Sequence, residues 1–238
     1  MLDEISRAEL GTRWAYRAGL EHAAAHRFAR LAARLAACGF DPALSTIAEH
    51  ATAQEHNHVA LCAAIAARFG VTTTLPRDLV VPEIAPSSWA PRDRVVYEVV
   101  AFCCVTETAN AALVTAGADD VDDPAIRRAV RTILADEVQH SRLGWRFLAT
   151  HPLDDDQRLG LAAYLPSMLA GTVRDELFAP QAVIGDEATM QRYGTLPLAG
   201  RRAAFLGGMR EVLLPGLASV GVDVAGGAAY LDRLAARV

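Results

Sequence analysis

Glu-x-x-His occurs twice, at Glu55 to His58 and at Glu137 to His140, and each copy follows a lone glutamate, Glu21 or Glu107, by about one helical hairpin. The intervals are 34 positions in the first half and 30 in the second, which suits a helix running up and its neighbour running back past the same depth. Residues i and i+3 share a helix face, so the Glu and His of each copy reach one point together. The lone glutamates then come from the two other helices. Four carboxylates and two imidazoles converge on the middle of the assembly. Burying four carboxylates together is costly unless several are protonated or cations sit among them. Two divalent ions cancel the four charges, so the pattern predicts two helical hairpins closing around a pair of metal ions.

The flanking residues support that geometry. The first helix is predicted from about Glu4 to Cys38, where Gly39 offers a C-cap, and its seam reads Trp14, Ala18, Glu21, Ala25, Phe28, Ala32, Leu35. Glu21 is the one charged member of an apolar stripe. Asp41-Pro42 provides an N-cap and a proline at the first helical position for a second helix that turns straight back. Its seam is Leu44, Ala48, Ala51, Glu55, His58, Cys62, Ile65, Phe69. At roughly 1.5 Å per residue, Glu21 and the Glu55 to His58 pair lie at matching depths on either side of the turn.

Between Gly70 and Pro91 the prolines 76, 82, 86 and 91 and a Thr72-Thr73-Thr74 run leave little periodicity, which predicts one long crossover. It is expected to bring the third helix to the end where the first begins. That helix, about Pro91 to Ala116, carries Val96, Val100, Cys103, Glu107, Asn110 and Val114 on its seam. Asp123-Pro124 repeats the capping device, and the fourth helix presents Ile126, Val130, Ile133, Glu137, His140, Gly144 and Phe147. Beyond His151-Pro152 a further helix is predicted towards Phe178, with Pro166 as a kink point, followed by helical segments near Ala199 to Leu217 and Val224 to Val238. The expectation is an all-α chain. Residues 1–150 would form a four-helix bundle, and residues 151–238 a helical extension packed on it.

Alanine and leucine abound, arginine outnumbers lysine and β-branched runs are short, so helix propensity dominates. The net charge of −5 comes without the basic stripe that phosphate backbones require, so nucleic acid is not an expected partner. The N-terminus lacks a signal pattern and charge interrupts every apolar run, so the expectation is a soluble cytoplasmic protein without a membrane partner. Cys38, Cys62, Cys103 and Cys104 form no C-x-x-C pair and are expected as reduced thiols.

Taken together, Glu21, Glu55-x-x-His58, Glu107 and Glu137-x-x-His140 resemble the ferritin-like di-iron carboxylate superfamily, whose members include bacterioferritin, rubrerythrin, fatty-acyl desaturases and arylamine N-oxygenases. The match covers roughly residues 4 to 150. It implies a ferritin-like four-helix bundle with one long crossover, holding two Fe ions or a mixed Mn/Fe pair. It also implies a non-haem oxidase or oxygenase that activates O2 to oxidise a small organic substrate, drawing on an external electron donor. The alternative within the same superfamily is a ferroxidase or iron-binding protein.

By the same resemblance Asp136 would hydrogen-bond His58, and Gln54 would hold the matching place beside His140. Cys62 stands where the ribonucleotide reductase subunit has its radical tyrosine, which excludes a tyrosyl radical at that position. Ile133 stands where arylamine N-oxygenases carry a third histidine. Cys62 and Cys103 either line an oxygen pocket or fill core as small residues. Asn110 either contacts substrate or makes a core hydrogen bond. His22, His26, His50, His56 and His151 lie off the metal stripe. Residues 151–238 either cover the pocket or build a homodimer interface.

Overall fold

The computed structural model describes residues 2–180 and 182–237, the side chains of 173–176 excepted. Met1, Gln181 and Val238, among them both ends of the expected domains, lie outside the described residues. Among the described residues the fold is all-α, as the sequence predicts, and no strand occurs. The chain forms two compact units, one of Met1–Glu83, Val114–Asp136 and Ala182–Pro197, the other of Ile84–Leu113, Glu137–Gln181 and Leu198–Val238. Residues 151–238 are thus shared between the two.

The first unit is built on the hairpin of α1 (Glu4–Ala37) and α2 (Pro42–Arg68). Asp3 caps α1 by accepting from the Ser6 amide at 2.9 Å and the Ser6 hydroxyl at 2.7 Å. The turn between the helices rests on Gly39, whose φ of 67° lies in the left-handed region, and on Asp41, which accepts from the Ala43 amide at 2.9 Å. Every residue of both predicted seams is buried. Ser45 donates to the Ala32 carbonyl at 2.8 Å near the turn. At the other end a Cβ on Gly11 would come within 3.2 Å of Phe69 and 2.6 Å of Val71, so α1 needs a glycine there. On that register residue 21 lies level with about residues 56 to 59. Trp14 packs with Leu10, Ile65, Val130 and Met190, and its indole N–H donates to the Tyr193 carbonyl at 3.1 Å.

The crossover follows α1 closely. Leu75 reaches Gly19, His22 meets the Pro76 carbonyl at 2.8 Å, Arg30 donates to the Val81 carbonyl at 2.6 Å, and Arg34 pairs with Glu83. It therefore runs in the direction of α1 and leaves the unit beside the end of that helix, not beside its start as the sequence suggested. The reason is geometric: α2 has already returned the chain to the beginning of α1, so a connection traversing the length of the hairpin must reach the other end. The same unit contains the start of α5 (Pro124–Thr150), capped by Asp123, which accepts from the amides of Ala125 and Ile126 at 2.9 and 3.0 Å.

The second unit centres on a rod that starts at Pro91 and runs to Ala118, its residues from Val114 onward belonging to the first unit. It consists of α3 (Pro91–Glu98), a π-helical stretch π1 (Val99–Thr106) and α4 (Glu107–Ala118). The sequence predicted a regular helix here. Residues 99–105 are buried and apolar on all sides, so no polar face fixes the pitch, and wider turns bonded i to i+5 are accommodated. The Thr106 hydroxyl follows the same interval, donating to the Ala101 carbonyl at 3.1 Å, and meets Thr172 at 3.1 Å. Against this stretch α5 presents Gly144, where a Cβ would lie 2.5 Å from Cys104 Sγ and 3.0 Å from the Cys104 amide nitrogen. By length and composition the rod is apolar enough to cross a membrane, yet 61% of its most apolar window is buried inside the protein, as in a core helix.

The rest of this unit is helical too. α6 (Asp155–Phe178) continues through Pro166. After the short α7 (Glu187–Gln191) of the first unit come α8 (Leu198–Gly208), π2 (Met209–Leu213), α9 (Leu214–Ser219) and α10 (Ala225–Ala235). Gly227 of α10 lies flat against Leu165 of α6.

Candidate metal centre

Glu21 on α1 and Glu55 and His58 on α2 are all buried, and one ligand atom of each lies within 4.8 Å of the others. The same holds for Glu107, at the first position of α4, with Glu137 and His140 on α5. Each unit thus gathers three candidate ligands of its own: Glu21, Glu55 and His58 in the first, Glu107, Glu137 and His140 in the second.

Both histidines turn the same nitrogen towards their own motif. His58 Nδ1 lies 3.2 Å from Glu55 Oε2, and His140 Nδ1 lies 3.6 Å from Glu137 Oε2. The i, i+3 spacing produces this repeated arrangement directly, because each pair leaves the same face of its helix. Behind His58, Nε2 is 3.1 Å from Asp136 Oδ2, the contact that the resemblance implied. Asp136 Oδ1 in turn accepts from Gln54 Nε2 at 2.6 Å. The resemblance implied for Gln54 the matching place beside His140; it did not imply this bond to Asp136.

Arg17 is a further contributor. Its Nε donates to Glu21 Oε1 at 2.8 Å, so a cation at the rim compensates one of the clustered carboxylates. The signal was in the sequence, since an arginine four residues before a glutamate on a helix is a pairing interval. Glu98 is also fully buried and was not anticipated, because it lies off the seam of its helix. Asn110, half-buried, reaches Glu107 Oε2 from Nδ2 at 3.4 Å.

Cys62 lies in the apolar cluster with Trp14, Ile65 and Ile133. Cys103 is fully buried; burial first, and then the nearby Glu107 carboxylate, push its thiol well above the usual range, so it stays protonated. Of the histidines off the stripe, His22 and His26 stack edge to face at 4.7 Å, and burial followed by the charges of His22 and His56 holds His26 below its ordinary value.

The donor set fits hard or borderline transition-metal ions. Carboxylate oxygens and imidazole nitrogens are the donors such ions take. A buried cluster of this composition could hold a metal ion. No known protein family matches the chain, and no curated protein matches it either.

Proposed function

We propose that Glu21, Glu55, His58, Glu107, Glu137 and His140 hold two iron ions, or a manganese and an iron, and that the protein is a non-haem oxidase or oxygenase acting on a small organic substrate. The observation that carries this reading is that a buried Glu, Glu, His set recurs in each unit, Glu21, Glu55 and His58 in one and Glu107, Glu137 and His140 in the other, the ligand atoms of each set within 4.8 Å of one another. A metal pair bound there supplies the electrons and open coordination positions by which dioxygen becomes an oxidant. An external electron donor is then needed to return the metals to their reduced state.

The chain's own residues have separable tasks in this reading. Glu21, Glu55 and His58 would hold one ion with two carboxylates and one nitrogen, and Glu107, Glu137 and His140 would hold the other in the same way. Arg17 donates to Glu21 Oε1 and so holds that carboxylate in place. Asp136, 3.1 Å from His58 Nε2, would accept from it and so leave Nδ1 to face the metal side. Cys62 in the first unit and Cys103 in the second are fully buried, so each would help keep water from its own set of ligands.

The test is metal loading with iron-replete protein and a Glu137→Ala variant. Wild type is expected to hold two metal ions per chain and to consume oxygen once reduced, and the variant to lose at least one ion and the oxygen uptake. Unchanged metal content and turnover in the variant would remove the ligand assignment. A shell of 24 subunits that fills with iron would replace the oxygenase reading with iron storage.

A further inference from the structure

Gln54 stands one position before Glu55, on the flank of α2 and off its ligand-bearing seam. Its amide donates from Nε2 to Asp136 Oδ1 at 2.6 Å, across 82 positions of sequence. The second oxygen of that carboxylate, Oδ2, lies 3.1 Å from His58 Nε2, and His58 Nδ1 lies 3.2 Å from Glu55 Oε2. All four residues belong to the first unit.

With the imidazole proton on Nε2, facing Asp136 Oδ2, the Nδ1 lone pair of His58 faces Glu55 and the side where a metal would sit. Asp136 is 20% exposed along its side chain, and a carboxylate at that depth can turn towards water unless something holds it. The Gln54 amide engages one oxygen and so fixes the plane in which the other faces His58. We propose that Gln54 is a positioning residue: by clamping Asp136 it locks His58 in the Nε2–H tautomer and sets how tightly the position beside Glu55 binds metal. This rests on the reading of Glu21, Glu55 and His58 as metal ligands. Gln54 itself is assigned no place on the metal.

The experiment compares wild type with Gln54→Met, which keeps the length but removes the donor, and Gln54→Lys, which restores a donor of similar reach. Two readouts serve. Co2+ titration of metal-free protein, followed by visible absorption, gives affinity. 15N NMR of the imidazoles, with the His58 signal assigned through His58→Gln, gives the tautomer without metal. Removing a group that orients a metal-bound histidine typically costs about 10- to 100-fold in metal affinity. Acting one bond further out, Gln54→Met is expected at the low end, about 10-fold weaker, with a mixed His58 tautomer. Gln54→Lys is expected to bind within about threefold of wild type and to keep the Nε2–H form.

Wild-type affinity and an unmixed tautomer in Gln54→Met would overturn the positioning role and leave the metal centre standing. Equal losses in the Met and Lys variants would overturn it as well, since the side chain would then matter for its packing alone. If wild type takes up no Co2+, the ligand reading itself fails, and the link from Gln54 to metal falls with it.

Discussion

The α1–α2 hairpin and the rod from Pro91 to Ala118 each place a buried glutamate among the candidate ligands of its own unit, and they do so by opposite means. In the hairpin both helices are amphipathic, capped by Asp3 and Asp41, and wound regularly along their described lengths. Their polar faces point to solvent, so the depth and rotation of Glu21, Glu55 and His58 follow from the stripe on which they sit. The rod has no such stripe over residues 99–105, where the whole circumference is buried. Its winding loosens into π turns, and Glu107 emerges at the first residue after them. A regular face positions ligands by pattern. A helix buried on all sides positions them through what packs around it, here the close approach of Gly144.

The largest expected effect comes from emptying the core beneath the regular face. Trp14 is 2% exposed and is among the largest fully enclosed side chains. Trp14→Ala removes that volume and leaves the Tyr193 carbonyl without its indole donor. Urea denaturation of the metal-free protein is expected to show a loss of about 3–5 kcal/mol. A loss under 1 kcal/mol would mean that the hairpin does not depend on its seam.

The rod offers an intermediate effect with the opposite sign of volume. Gly144→Ala inserts one methyl where the Cys104 sulfur and backbone nitrogen already stand at 2.5 and 3.0 Å. Backbone cannot yield as a flexible side chain can, so overpacking should cost about 1–3 kcal/mol. The comparison predicts more than stability. If packing is what sets the π turns, Gly144→Ala should lower metal content at the Glu107 end, whereas Gly19→Ala should leave it unchanged, since Gly19 has only a 4.0 Å contact with Leu75. Equal behaviour of the two variants would erase the distinction between the regions.

Most of the hairpin was legible in the sequence because its signals are local. Asp41-Pro42 and Gly39 mark the turn, and a glutamate alone in an apolar stripe marks a candidate ligand. Asp136 was reached only through a family resemblance, and its bond to Gln54 was not reached at all, because a contact across 82 positions leaves no trace in spacing. The π turns escaped for a physical reason already visible in the residues: Val99 to Val105 carries no polar position, so periodicity had nothing to report. The direction of the crossover could have been deduced, since an antiparallel hairpin leaves only one end to reach.

The smallest effect lies where α2 ends and α5 begins, at Asp123. This carboxylate caps α5 through two backbone amides and accepts from Arg68 at 2.6 and 3.1 Å. The Arg68 guanidinium, and then the two amides, hold its pKa well below the usual carboxylate range. The sign follows from that depression. In the unfolded chain Asp123 titrates near the ordinary value of about 3.9, so its contribution is fully present above that pH and is lost as pH falls towards the depressed native value. Asp123→Ala should therefore cost about 1 kcal/mol at pH 7, mostly as a lost helix cap, because the ion pair is largely in solvent. The gap between wild type and variant should narrow as pH drops below about 4. A gap that stays constant down to pH 2 would show that the charge of Asp123 contributes nothing, and that α5 is held in register by its buried face alone.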